Sequence, residues 1–224
     1  MNDFSLQIAL PLKLRPSFKR HDFIIGKSNE EAIRWIDKYP GWRQDGLIII
    51  GPKASGKSHL ISVLKLKGTP VIKQAQDINY NNIDILNLRT LIIENLELIT
   101  NHNLLLHIIN ILKEKKQKII ITSRLSPNKI KIQLPDLKSR LLTLPQANIL
   151  MPTDDVLLGI IIKLSKDKGL FLNELVLKYI LTHVERSYLA INKLIYKLDK
   201  MAMVRKKRIT VPFVKEILKT IDLN

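Results

Sequence analysis

The amino-acid sequence predicts an α/β fold in which a parallel sheet lies between helices, followed by a small all-α domain. Up to about Met151, short apolar strands alternate with segments of helical periodicity, which is typical of a parallel sheet covered on both faces. The first clear strand leads into a glycine-rich loop of the kind that binds phosphate. Beyond Met151 every remaining segment has helical periodicity.

The phosphate-binding motif lies within the stretch Leu47 to Leu60, where four apolar residues precede the spacing G-x-x-x-x-G-K-[ST]. Two glycines allow a tight turn, so that backbone N–H groups and the next helix N-terminus point at a polyphosphate. Lys57 would reach the terminal phosphates, and the Ser58 hydroxyl would bind Mg²⁺. We therefore predict bound ADP or ATP with Mg²⁺; a glycine-rich turn without ligand is the alternative. The nucleotide-binding residues are Gly51, Pro52, Lys53, Ala54, Ser55, Gly56, Lys57, Ser58 and the following His59.

Composition excludes several classes of protein. The chain has 224 residues, of which 46% are hydrophobic, and it contains no cysteine. Disulfides and thiolate metal sites are therefore excluded, and the five histidines show neither H-x₃-H nor H-E-x-x-H spacing. No apolar run approaches the roughly 18 residues that cross a bilayer, and the N-terminus lacks the order of a signal peptide. We expect a cytoplasmic protein without membrane contact.

The net charge of +17 allows two interpretations. Lysine and arginine side chains that neutralise phosphates give sequence-independent affinity for nucleic acids. The chain is also rich in Ile, Lys and Asn throughout, as an A·T-rich coding bias would produce. Two interpretations are also possible for the basic cluster Arg205-Lys206-Lys207-Arg208. We favour a solvated turn between the last two helices, with DNA contact as the alternative.

Residues 1–22 precede the first domain and include Gln7-Ile8-Ala9-Leu10-Pro11-Leu12. An extended segment of this kind can place two leucines in an apolar groove while the glutamine anchors it. The stretch is similar to the peptides by which bacterial proteins dock on the replication sliding clamp. We assign Gln7, Leu10, Pro11 and Leu12 to that contact. An arm that packs on its own domain is the alternative.

The remaining elements follow in chain order. A first helix begins near Ser28 or Asn29, either of which can cap it, and ends at Pro40 and Gly41. The predicted strands are residues 47–50, 71–72, 90–95, 118–122 and 147–150, and residues 77–84 are predicted to be a loop. Further helices are predicted at residues 57–65, 103–116, 134–141 (capped near Asp136), 156–165, 172–183, 187–204 and 211–221.

An acid ends the third predicted strand, at Glu94. This is the Walker B position, where a carboxylate at the carboxyl end of a strand holds Mg²⁺ through water. We therefore predict Ser58 and Glu94 as the metal-binding pair.

Four local strings carry a resemblance to the AAA+ ATPases and, within them, to the DnaA branch. They are Gly-Lys-Ser-Asn before the first helix, Gly-Lys-Ser-His-Leu in the P-loop, Ile-Thr-Ser at a later strand, and Leu-Pro-Asp-Leu-Lys-Ser-Arg-Leu. DnaA would continue into a helix-turn-helix domain where this chain stops. DnaA also lacks the clamp-type peptide found at the start of this chain. The chain therefore resembles the Hda family of DnaA-related regulatory inactivators.

This resemblance implies a clamp-binding arm at residues 1–22, an AAA+ nucleotide-binding domain at 23–151 and a helical lid at 152–224. It implies that the protein, held on the DNA-loaded clamp, stimulates hydrolysis of DnaA-bound ATP and so represses replication initiation. Arg140 would be the arginine finger that stabilises charge on the transferring phosphoryl group in trans. An ordinary surface ion pair is the alternative for Arg140. Further nucleotide contacts are implied for Ile25, Gly26, Asn29, Thr122 and Arg186.

Several residues depart from the family pattern. Asn95 occupies the place of the carboxylate that orients the attacking water, so we expect weak or no ATPase activity from the chain alone. Glu94 replaces the usual Asp and Arg124 follows the sensor strand, while Leu189 falls where the lid arginine is expected, with Arg186 one turn earlier. These changes leave nucleotide preference open.

The predicted partners are DnaA and the sliding clamp, with DNA reached mainly through the clamp, near the nucleoid; a homodimer is left open. Two other functions remain as alternatives. One is an autonomous P-loop ATPase that loads or remodels replication complexes, which partner-free turnover would reveal. The other is a DNA-binding initiator paralogue, which a sequence-specific footprint would reveal.

Overall fold

We analysed a computed structural model of the protein, which describes residues 23–80 and 89–221. Five parallel strands form one sheet in the order β2-β3-β4-β1-β5. The strands are β1 Gly46–Ile50, β2 Val71–Gln74, β3 Thr90–Glu94, β4 Lys118–Ser123 and β5 Gln146–Asn148. The helices are α1 Glu30–Lys38, α2 Lys57–Lys67, α3 His102–Glu114, α4 Pro135–Thr143, α5 Asp154–Asp167, α6 Glu174–His183, α7 Tyr188–Arg205 and α8 Val211–Ile221.

The sheet is apolar on both faces because helices cover both. Successive side chains of a strand point to opposite faces, and in β1 Leu47 and Ile49 join one hydrophobic cluster while Ile48 and Ile50 join the other. Helices α3 and α4 supply the cluster that holds Ile48, and α1 and α2 supply the one that holds Leu47. Because both faces are buried, the central strands are runs of Ile and Leu without alternating polar residues.

The carboxyl ends of the three central strands meet at one edge of the sheet. Ile50 of β1 lies in register with Ser123 of β4, and Ile93 of β3 with Ile121 of β4. The Gly51 N–H donates to the Ser123 carbonyl oxygen at 3.0 Å. This pairing brings the P-loop beside the ends of β3 and β4.

The last four helices, α5 to α8, form a hydrophobic cluster of their own. Helices α6 and α7 begin at side-chain caps, since Asn173 accepts from the Val176 N–H and Ser187 from the Ala190 N–H. Val156 of α5 and Tyr188 of α7 belong instead to the cluster under α1 and α2. These two side chains attach the helical part to the sheet.

The structure confirms the predicted strands and helices, with shifts at their ends. The last strand is Gln146–Asn148 rather than 147–150, and β3 ends at Glu94 because Asn95 adopts a left-handed conformation with φ of 59°. Asp136 lies in the first turn of α4 rather than at its cap, which is Leu134. The predicted clamp-binding arm lies outside the described residues, and the division near residue 151 remains a prediction.

The prediction that a side chain caps the N-terminus of α1 is wrong. Asn29 stands at the N-cap position but makes no side-chain cap bond. Its amide Nδ2 donates to the Ile24 carbonyl oxygen at 2.8 Å, and its Oδ1 accepts from the Gly26 N–H at 3.0 Å. Asn29 therefore fixes the loop that precedes α1.

Within residues 23–80 and 89–221, no helix is long and apolar enough to span a membrane.

Candidate nucleotide-binding site

Two glycines shape the loop between β1 and α2. A Cβ atom on Gly51 would lie 2.8 Å from Ser55 Oγ and 2.9 Å from Ile149 Cβ. Gly56 has φ of 90°, which side chains rarely adopt, and its added Cβ would lie 2.9 Å from the Phe23 ring. Both positions therefore require glycine for steric reasons.

The loop contains polar groups arranged for an anion. Ser55 Oγ is buried and has no hydrogen-bond partner within the described part of the chain. The Lys57 ammonium is buried and donates to the carbonyl oxygens of Gly51 and Pro52, at 2.7 Å and 2.8 Å. An unsatisfied hydroxyl and a lysine folded onto its own loop fit a cradle that phosphate oxygens would complete.

Burial lowers the pKa of Lys57 to about 8. Among its charged neighbours, Glu97 raises this pKa, Arg124 lowers it and Glu94 raises it, each by less than the desolvation. The charged form of Lys57 thus lacks full compensation without an anion, which is the condition that favours phosphate binding.

Glu94 and Ser58 meet at the predicted metal position. The Ser58 hydroxyl donates to Glu94 Oε1 at 3.2 Å. The other carboxylate oxygen accepts from the Gln74 amide at 3.0 Å. Hydroxyl and carboxylate oxygens are the ligands that Mg²⁺ prefers, directly or through water, so this pair fits the cation.

Asn95 is held by two neighbours rather than projecting freely. Its amide Nδ2 donates to Gln74 Oε1 at 2.7 Å, and its backbone N–H donates to Thr122 Oγ1 at 3.2 Å. Gln74 therefore bridges Glu94 and Asn95. Gln74 was not predicted as a site residue. Its position at the carboxyl end of β2, the strand that pairs with β3, could have indicated it.

A cleft of about 400 Å³ lies between the P-loop, the loop before α1 and the helices α5 and α7. The structure brings five of the predicted residues to it: Asn29, Ala54, Ser55, Gly56 and His59. The other lining residues were not predicted from the sequence: Phe23, Ile24, Ile160, Lys163, Leu164, Asp167, Lys168, Tyr188 and Asn192.

Tyr188 joins the two walls of this cleft. Its side chain is 2% exposed, and its hydroxyl lies 3.4 Å from Ser28 Oγ. Burial raises the pKa of Tyr188, against a smaller opposing effect of the Ser28 hydroxyl. The phenol therefore stays neutral, and the contact is a hydrogen bond between uncharged groups.

Other predicted residues lie outside the cleft lining. The Ile25 side chain is 50% exposed, and Gly26 packs closely on Val156 of α5. The Arg186 guanidinium is exposed and pairs with Asp154 at 3.1 Å. Leu189 lines a separate small cavity with Lys193 and Leu218, among others.

Arg124 also has a partner, since its Nε lies 3.3 Å from Glu97 Oε1. Glu97 Oε2 accepts from the Arg124 N–H and from the Ser123 hydroxyl, both at 3.1 Å. The Arg124 side chain is thus turned towards Glu97 after β4.

Arg140 lies far from the P-loop, near the C-terminal end of α4. It lines a small cavity with Asp45 and Ile119, at the amino ends of β1 and β4. The P-loop follows the carboxyl end of β1, a strand of 5 residues, which corresponds to a length of about 16 Å. Arg140 is exposed and has no ion-pair partner among the described residues.

Comparison with known proteins places the fold. A family model described as "Hda, lid domain" matches residues 154–218. The chromosomal replication initiator DnaA of Wolinella succinogenes is 26% identical over 231 residues, which are 92% of this chain and 53% of that protein. DnaA of Aliarcobacter butzleri is 26% identical over 234 residues, with the same two shares. The chain thus spans about half the length of the curated relatives it matches.

Solved structures show the same architecture. Domain III of Thermotoga maritima DnaA aligns with a TM-score of 0.80 and 20% identity, over 92% of this chain and 97% of that chain. AMPPCP-bound DnaA from Aquifex aeolicus aligns with a TM-score of 0.70 and 20% identity, over 85% and 67%. The T. maritima RuvB branch-migration motor aligns with a TM-score of 0.71 and 15% identity, over 95% and 74%. The predicted AAA+ fold is confirmed: the chain is similar in sequence and fold to DnaA, and its residues 154–218 are similar to the Hda lid domain.

Proposed function

We propose that this chain binds an adenine nucleotide and represses replication initiation by completing the hydrolytic site of ATP-bound DnaA. The observation that carries the proposal is the position of Arg140. This guanidinium lies at the opposite edge of the sheet from its own P-loop, exposed and without an ion-pair partner in the described part of the chain. An arginine so placed serves the nucleotide of a neighbouring molecule better than its own.

The residue at the water-orienting position, Asn95, also supports hydrolysis in the partner rather than in this chain. Asn95 carries no carboxylate, and its amide is bound to Gln74 at 2.7 Å. An amide cannot accept a proton from water as a general base does. The nucleotide held by this chain is therefore a structural ligand that turns over slowly, and hydrolysis takes place in the partner.

The residues present fit the nucleotide and its metal. Backbone N–H groups of Gly56, Lys57 and Ser58, at the N-terminus of α2, would face the phosphates. Lys57 would turn from the loop carbonyls to the anion, and Ser58 and Glu94 would hold Mg²⁺. When bound, Mg²⁺ neutralises charge on the phosphate oxygens. AMPPCP is the ligand named for the Aquifex aeolicus DnaA structure, and we extend adenine nucleotide binding to this chain on the similarity of fold.

We further propose that the N-terminal arm docks on the DNA-loaded sliding clamp through Gln7, Leu10, Pro11 and Leu12. This step rests on the sequence pattern alone. Docking would raise the local concentration of Arg140 near DNA-bound DnaA, in the cytoplasm and close to the nucleoid.

The test is single-turnover hydrolysis of ATP prebound to DnaA in the presence of DNA-loaded clamp. We expect wild-type protein to stimulate hydrolysis and Arg140→Ala to lose about 10³-fold or more of that stimulation. Arg34→Ala is the matched control, because Arg34 is also exposed and pairs only locally with Glu30 of the same helix. The Gln7→Ala/Leu10→Ala variant should lose stimulation on clamp-loaded DNA while it still binds nucleotide.

A second candidate, an autonomous ATPase that loads or remodels replication complexes, is favoured by the contact between Ser58 and Glu94, since it places the metal ligands ready for use. Steady-state turnover of the purified chain without partners separates the two functions. Turnover near 1 s⁻¹, as in self-sufficient nucleoside triphosphatases, together with no effect on DnaA-bound ATP, would favour the second. A sequence-specific footprint would instead favour an initiator paralogue that binds DNA directly.

A further inference from the structure

The outer faces of α7 and α8 carry an excess of positive charge. Within residues 189–221 the basic residues are Lys193, Lys197, Lys200, Arg205, Lys206, Lys207, Arg208, Lys215 and Lys219, and the acidic ones are Asp199 and Glu216. Both acids are already paired: Lys168 lies 2.8 Å from Asp199, and Arg205 lies 2.6 Å from Glu216. The remaining lysines therefore have no acid of this segment to neutralise them.

Two contacts show that α7 and α8 lie side by side. Lys197 Nζ donates to the Thr220 carbonyl oxygen at 2.8 Å, near the end of α8. Arg205 contacts Glu216 at the other end of α7. The two helices therefore run antiparallel, and their exposed faces form one surface.

The spacing of the lysines follows the helical repeat. Lys193, Lys197 and Lys200 of α7 are three and four residues apart, and so share one side of that helix. Lys215 and Lys219 of α8 are four residues apart and exposed. The apolar sides of both helices are buried in the hydrophobic cluster that α5 to α8 form, including Leu194, Leu198, Val214 and Ile217.

The turn between the helices extends this surface. Lys206, Lys207 and Arg208 are exposed and follow directly on α7. From Lys193 to the turn, α7 gives a rigid row about 20 Å long at 1.5 Å per residue. Phosphates along one strand of a duplex are about 3.4 Å apart, so the row is long enough to contact several of them.

We propose that this basic face, formed by Lys193, Lys200, Lys206, Lys207, Arg208, Lys215 and Lys219, binds the phosphate backbone of duplex DNA without sequence preference. Single-stranded DNA is less well matched, because stacking needs free aromatic rings and the exposed Tyr196 ring has the Lys168 ammonium over it, 5.4 Å from the centroid. Membrane insertion is also less well matched, because the apolar sides of α7 and α8 are already buried. The proposal is independent of Arg140 and of the clamp arm.

The experiment measures binding of the full chain to a labelled 20-base-pair duplex of arbitrary sequence, by fluorescence anisotropy at several salt concentrations. The test variant carries Lys→Gln at positions 193, 200, 215 and 219. The matched control carries Lys→Gln at Lys38, Lys65, Lys129 and Lys131, four exposed lysines on the sheet domain. Both variants lose the same charge, so net charge alone cannot separate them.

We expect wild type and control to bind alike, and the test variant to bind about tenfold or more weakly at 100 mM salt. The plot of log affinity against log salt should also become shallower by about 0.9 for each phosphate that the variant no longer neutralises, hence by up to about 3.6. Equal weakening in both variants, or no weakening in either, would overturn the proposal. Binding of wild type to anionic lipid vesicles but not to duplex would overturn it as well. Thermal melting of both variants checks that each is folded.

Discussion

The Ser58 hydroxyl donates a hydrogen bond of 3.2 Å to the Glu94 carboxylate, across 36 positions of sequence. Ser58 lies in the first turn of α2, and Glu94 ends β3. Parallel pairing in the order β3-β4-β1 brings the two together at the carboxyl edge of the sheet. The proposed Mg²⁺-dependent binding of a nucleotide depends most directly on this pair of side chains.

We predict that Glu94→Gln removes the Mg²⁺ dependence of nucleotide affinity. The neutral amide keeps the shape of the side chain but cannot supply charge to a divalent cation. Wild type should bind ATP or ADP more tightly with Mg²⁺ than with EDTA, whereas the variant should show a ratio near one. Titration with a fluorescent adenine nucleotide measures this ratio. Glu174→Gln is the control, and an unchanged ratio in Glu94→Gln would contradict the assignment.

We predict that nucleotide binding takes up protons near pH 8 through Lys57. Burial lowers the pKa of free Lys57 to about 8, and a polyphosphate beside the ammonium raises it again. Affinity should therefore fall as the pH rises above 8, because a growing fraction of the free protein must gain a proton to bind. Calorimetry in two buffers of different ionisation enthalpy should detect about half a proton taken up at pH 8.

The same lysine affects the stability of the nucleotide-free protein in the opposite direction. Between pH 8 and 10.5 the unfolded chain holds more protons at this position than the folded chain, so the Lys57 contribution to stability rises with pH. Lys57→Met removes the buried charge. It should melt a few degrees higher than wild type at pH 7, with a smaller difference at pH 10, and should bind no nucleotide. If Lys57→Met melted at a lower temperature than wild type at pH 7, that would contradict the inference that burial of the charged ammonium destabilises the folded protein.

We predict that Asn95→Glu gives the chain an ATPase activity of its own. The new carboxylate would stand next to Gln74, whose amide already donates to Glu94 at 3.0 Å. A carboxylate there can orient and deprotonate water, which should raise turnover by about 10²-fold. Asn95→Gln lengthens the side chain without adding a base and serves as the control. Equal turnover in both variants would show that position 95 does not orient the water.

We predict that Tyr188 joins the lid to the sheet through its ring rather than its hydroxyl. Tyr188→Ala should cost about 3 kcal/mol or more, because the ring is buried in the cluster under α1 and α2. It should also weaken nucleotide affinity, since the ring lines the cleft. Tyr188→Phe loses only a 3.4 Å contact to Ser28 and should cost less than about 1 kcal/mol. Denaturant unfolding and nucleotide titration of both variants measure the difference.

The elements that were predicted well from the sequence are those governed by local patterns. The P-loop strand and α2 follow from apolar runs and glycine spacing, and Asn173 and Ser187 cap their helices through contacts three residues away. Asn29 was harder to predict. Its side chain bonds to the backbone of the loop before it instead of capping the helix, and both outcomes are local bonds of similar strength.

The sequence by itself determined the glycine-rich loop after β1, the acid at the end of β3 and the alternation of strands and helices, because each depends on residues close together in the chain. Only the tertiary structure decided the rest of the site. Gln74 reaches Glu94 and Asn95 through pairing of β2 with β3, and Lys163, Tyr188 and Asn192 reach the cleft through packing of the lid helices. These contacts join distant parts of the chain. They are fixed by the burial of apolar surface, which is not directional, so the local sequence does not indicate which polar residues become neighbours.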